Sequence, residues 1–167
     1  PEAATQSLGY ANTVAAIVIA LLAPILGAVA DFKAAKKRFL FAFMLIGVVA
    51  TAGMFFIDHG ELLFASALFI LSIAGATGSM TFYEALLPHI ATDEEIDRVS
   101  TAAYAIGYLG GGLLLAINLA WISNPGLLGL PSGDGITADQ ATLPVRLAFV
   151  SVGVWWLLFS IPVLRTV

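Results

Sequence analysis

The chain has 167 residues, 60% of them hydrophobic and only 11% charged, with a mean hydropathy of +0.98. A water-soluble domain carries about a quarter charged residues, and seven Lys+Arg with eleven Asp+Glu cannot cover the outside of a molecule this size. The composition excludes a soluble globule. The net charge of −4 comes without any basic, aromatic-interleaved stretch for nucleic acid, and the absence of cysteine excludes disulfides and thiolate-ligated metal.

Five apolar runs are long enough to cross a bilayer, which takes about 20 mostly apolar residues. They fall at 10–30, 39–57, 62–87, 99–122 and 146–164. The breaks between them hold nearly every charge, and the last, at 123–145, is rich in Gly, Pro and Asp and reads as an extramembrane loop. The predicted fold is an all-α polytopic membrane helix bundle of about five transmembrane helices. Lys and Arg are retained on the cytoplasmic side of short loops. Lys33, Lys36, Lys37 and Arg38 therefore make 31–38 cytoplasmic, and alternation puts six of the seven basic residues inside, leaving Arg146 outside.

In the first run Ala16, Ala20, Ala23, Gly27 and Asp31 lie near one stripe, where small residues let a neighbouring backbone approach. Asp31 faces the negative pole of its helix, so it needs a cation or a helix N-terminus as partner. In the third run Thr77, Thr81 and Glu84 share one face, and Ser72, Gly75 and Ser79 form a second, smaller one. A carboxylate inside an apolar run is expensive unless it faces protein or a wet cavity. Glu84 reads either as a cavity-lining carboxylate for a cationic group or a proton, or as a residue near its helix end that reaches the interface or pairs with a Lys or Arg. Thr92-x-x-Glu95 has the form of a capping box opening the fourth run. There Ala103, Gly107 and Gly111 repeat the small-residue spacing, for packing or for lining a path. Asn118 reads as a cavity ligand or an interhelical hydrogen bond.

Gly27-Ala28-Val29-Ala30-Asp31 followed by Lys36, Lys37 and Arg38, between an inward-going and an outward-going span, resembles the loop signature joining the second and third helices of the major facilitator superfamily. Phe32 and Ala34 stand where that signature commonly has a basic residue and a glycine. The strings PILGAVAD, FYEALLP, SxxxYAIGYLGGG and WWLLFSIP are similar to the vacuolar amino-acid effluxer branch, the autophagy-related group with bacterial relatives. Glu84 departs from the Asn of its FYNA-type string.

The resemblance implies a secondary-active transporter of two pseudo-symmetric six-helix halves that rock about a central cavity, without enzymatic activity or cofactor. Residues 1–167 would be part of the N-terminal half, helices two to six, with the first helix and the second transmembrane half as partners. Gly27, Asp31, Lys36, Lys37 and Arg38 would form a gating loop. Membrane lipid, a small solute of the amino-acid class and a coupling proton are the other expected partners. The membrane would be the plasma (inner) membrane in a bacterium or the vacuolar membrane in a fungus. The rival class is a non-transporting structural subunit or channel-like bundle, which packing glycines alone would explain. An intramembrane enzyme is excluded as a rival, because His59 and His89 fall in breaks on opposite sides and cannot share a site.

Overall fold

The computed structural model describes residues 2–30 and 36–166. Among the described residues there are helices and no strands: α1 (Glu2–Ala30), α2 (Lys36–Gly53), α3 (Leu62–Glu84), the single turn α4 (Leu87–Ile90), α5 (Ile96–Ser123) and α6 (Ala138–Thr166). Short 3-10 turns follow α2 at Met54–Phe56 and α5 at Pro125–Leu128. Five of the helices are long and apolar enough to cross a membrane. Their outward side chains agree with a lipid setting: Leu63, Ile106, Leu109 and Tyr108 are 70% exposed or more, and soluble proteins rarely leave so many large apolar groups in contact with water.

Helix boundaries differ from the apolar runs where polar residues sit inside a helix. α1 begins at Glu2, two turns before its apolar run, and α6 at Ala138, inside the stretch that reads as loop. A reciprocal capping pair explains that start. The Thr137 backbone N–H donates to Gln140 Oε1 at 2.9 Å, and Gln140 N–H donates to Thr137 Oγ1 at 3.3 Å. Pro144 falls inside α6 as a consequence, removing one main-chain donor there. The Thr92 pattern works differently. Its hydroxyl lies 3.4 Å from Glu95 Oε2, and α5 starts only at Ile96, with Glu95 as its N-cap residue. Gly60, at φ +90°, turns the chain between α2 and α3 in a conformation that side-chain-bearing residues rarely adopt.

Packing is ordered α1–α3–α2–α6–α5, with α2 and α3 in the most extensive contact. Glycine makes that contact possible. A Cβ on Gly75 would lie 2.6 Å from Gly47 Cα and 2.8 Å from the Phe43 carbonyl oxygen, which is backbone and cannot swing aside. On the far side of α2, a Cβ on Gly153 of α6 would meet the Val48 carbonyl at 3.3 Å. Between α2 and α3 the Thr51 and Ser72 hydroxyls are 2.6 Å apart. At the Lys36 end, Phe82 is wholly buried and stacks on Phe39 and Phe43 at centroid distances of 5.3 and 5.9 Å. Leu26, Leu40 and Leu86 complete that cluster, and Leu164 of α6 packs on it.

Two substitutions test this account. Gly75→Ala should force α2 and α3 apart and lower stability by about 1–3 kcal/mol. Gly107→Ala meets nothing within 4 Å and should leave these 167 residues as stable or slightly more so, through better helix propensity. Thermal unfolding in detergent reads both. Equal effects would remove the Gly47–Gly75 crossing from its central place.

Candidate functional site

The loop signature is divided by the structure. Asp31 lies outside the described residues. Gly27 is exposed, with no neighbour for an added Cβ. Lys36 is buried, at 8% exposure, and its Nζ donates to the Ala85 carbonyl at 2.9 Å. Ala85 is the C-cap residue of α3, so the lysine supplies a donor to one of the carbonyls that a helix end leaves unpaired, at the negative pole. Nζ also lies 3.3 Å from His89 Nε2. An ammonium has only donors, so that ring nitrogen accepts and carries no proton in this contact. Lys37 and Arg38, next in the same turn, are exposed.

Thr77 and Thr81 are half-buried on α3, and the Thr81 hydroxyl donates to the Thr77 carbonyl at 3.0 Å, within its own helix. Glu84 is exposed, and its Oε1 accepts a 2.5 Å hydrogen bond from the Tyr104 hydroxyl of α5. Such short O–H···O⁻ bonds are the strong, charge-assisted kind. Tyr104 borders a cavity of about 540 Å³ between α2, α3, α5 and α6. Its walls include Met44, Met80, Tyr83, Ala103, Gly107, Tyr108, Trp156 and Phe159. The two serines there, Ser79 and Ser160, bond back to carbonyls of their own helices. Tyrosine hydroxyls thus supply polar atoms to a largely apolar chamber, and that of Tyr104 is taken by Glu84.

Of the residues singled out in the sequence, Ala103 and Gly107 line this cavity and Glu84 reaches it through Tyr104. Thr77 and Thr81 do not line it. Asn118, 6% exposed, lies elsewhere: its Oδ1 accepts from Ser151 of α6 at 2.9 Å. Ala23, Gly27 and Gly111 are exposed in this chain, and an added Cβ on either glycine would meet open space. The tyrosines were missed. Tyr104 and Tyr108, one turn apart with Gly107 between them, were the available signal. At the opposite end, Arg146 Nη2 holds Asp58 Oδ1 at 2.9 Å and lies 3.8 Å from Asp139, tying α6 to the α2–α3 turn. Among the described residues, no three His, Asp or Glu side chains gather as metal ligands would.

Five apolar helices, tied at one end by a buried lysine and at the other by an arginine, four of them around a chamber with a carboxylate at its rim, define a polytopic helical membrane protein. Residues 3–167 match the family model described as Vacuole effluxer Atg22 like. The chain belongs to that family. It is 30% identical over 169 residues to a Bacillus subtilis (strain 168) protein named "Uncharacterized MFS-type transporter YxiO", covering 98% of this chain and 36% of that protein. It is 37% identical over 67 residues to "Autophagy-related protein 22" of Yarrowia lipolytica (strain CLIB 122 / E 150), covering 40% of this chain and 9% of that protein. The chain thus spans about a third of the length of the bacterial relative. No solved structure matches it. The family description and the bacterial relative's name are those of an effluxer and a transporter, not of an enzyme.

Lys36→Met keeps the stem but removes the donor. It should destabilise the protein by about 1.5–3 kcal/mol, the usual worth of a hydrogen bond to a charged group, and should raise hydrogen exchange at 85–91. Unchanged exchange there would show that the lysine does not hold this corner.

Proposed function

We propose that this chain forms helices two to six in the N-terminal half of a secondary-active transporter of the major facilitator type, and that it works by alternating access to export a small amino-acid-class solute. The Tyr104–Glu84 bond carries this reading. It joins two spans across the rim of an apolar chamber, and a carboxylate held there can exchange its tyrosine partner for the ammonium group of a solute or for a coupling proton. Breaking and remaking that bond would let α5 move against α3. The bare Gly111 of α5 fits close approach by a further helix of the same half, while Gly107 opens onto the chamber. Asp31 would latch the cytoplasmic loop in one state.

The test uses the full-length protein in proteoliposomes loaded with labelled amino acids. Glu84→Gln should cut efflux by about tenfold or more, as expected when a charged hydrogen bond is lost, and should remove any dependence on a pH gradient, at unchanged membrane abundance. Asp31→Asn should slow efflux without impairing insertion. Wild-type efflux from Glu84→Gln at equal abundance would sink the carboxylate role. Flux that never saturates with solute would instead mark a channel.

A further inference from the structure

The first turn of α2 contains three cations and no acid. A helix N-terminus is the positive pole, so each of these charges is disfavoured there unless an anion or a carbonyl compensates it. Lys36 is compensated by the Ala85 carbonyl. Lys37 and Arg38 are exposed and have no hydrogen bond or ion pair among the described residues. Instead they border a notch of about 430 Å³ whose other walls are Phe41 and Leu164. Phe41 follows Lys37 and Arg38 at helical spacings of four and three, so it shares their face one turn further into the span. Phe41 is 46% exposed. Leu164 comes from the end of α6 and is followed by the exposed Arg165.

The arrangement is amphiphilic in a fixed order. Cations stand at the membrane rim on the side that the basic residues make cytoplasmic, and apolar walls continue from them into the bilayer. Basic notches between helices at that depth match anionic headgroups, and Arg pairs with a phosphate through two parallel N–H donors. A free inorganic anion would use the cations and leave Phe41 and Leu164 without purpose.

We propose that this notch binds an anionic membrane phospholipid, with its phosphate on Lys37 and Arg38 and the first part of an acyl chain along Phe41 and Leu164. The signature cations then divide their work: Lys36 clamps protein to protein, while Lys37 and Arg38 clamp protein to lipid.

The test places full-length protein in mixed phosphatidylcholine and phosphatidylglycerol nanodiscs, followed by native mass spectrometry of the lipids kept on extraction. Wild type should retain phosphatidylglycerol in preference to phosphatidylcholine. Lys37→Gln and Arg38→Gln should each lower that preference about fivefold, Phe41→Ala should lower it with both charges intact, and Arg98→Gln should not change it. Added inorganic phosphate should not displace the lipid. Preference unchanged in the double Gln variant would overturn the proposal. So would displacement by phosphate with Phe41→Ala behaving as wild type, which would reveal a free-anion site. Melting in pure phosphatidylcholine checks that each variant folds. If the Gln variants fail that check, Phe41→Ala decides: wild-type preference there overturns the lipid site, and reduced preference upholds it.

Discussion

The approach of two backbones at Gly47 and Gly75 is the constraint from which the rest of this bundle follows. In a bilayer no hydrophobic force drives one apolar helix onto another, so association depends on close packing and a few hydrogen bonds. Two glycines in register remove the side chains that would hold α2 and α3 apart. With that distance set, the Thr51 and Ser72 hydroxyls come within reach, and Phe82 fits between Phe39 and Phe43. α1 then rests on α3, and α6 meets α2 at Gly153. α5 is the outlier. It leans on α6 and reaches α3 through the side chain of Tyr104.

Much of this architecture was legible in the residue string. Composition and run length identify five spans because the solvent for an apolar run is unambiguous, and the strings around Gly27, Phe82, Tyr104 and Trp155 resemble the family to which the chain belongs. What stayed hidden depends on three-dimensional pairing. Gly47 and Gly153 stand in no repeating small-residue pattern, and their importance appears only when a neighbour's backbone is seen opposite. Conversely, the regular stripe of Gly107 and Gly111 faces open space within these residues. Periodicity reports which face is small, not what lies against it. The start of α6 was misread for a local reason. Gly, Pro and Asp signal a loop up to about Gly135, but the Thr137–Gln140 pair starts a helix before the apolar run begins.

Glu84 shows the same limit at the candidate site. Its place on one face with Thr77 and Thr81 follows from helical geometry alone, whereas its partner sits twenty residues away on another helix. The partner is also chemically informative. A tyrosine hydroxyl can donate to a carboxylate but brings no charge of its own, so the contact with Tyr104 is a hydrogen bond and not an ion pair. A lysine or arginine in that place would have neutralised Glu84 permanently. Thr81, by contrast, turns to its own helix, its hydroxyl satisfied by the Thr77 carbonyl.

Lys36 bears on how such a bundle is made. When α1 and α2 have entered the bilayer and α3 has not, the lysine has no buried acceptor and must stay in water. Its burial becomes favourable only after the end of α3 arrives on the same side of the membrane and offers the Ala85 carbonyl. An α3 inserted upside down would put that carbonyl some 30 Å away, on the opposite face. The ammonium would then remain outside the bundle, and the Phe82 cluster beside it could not close. That hydrogen bond can form only in a chain whose α3 ends on the side of the bilayer where α2 begins.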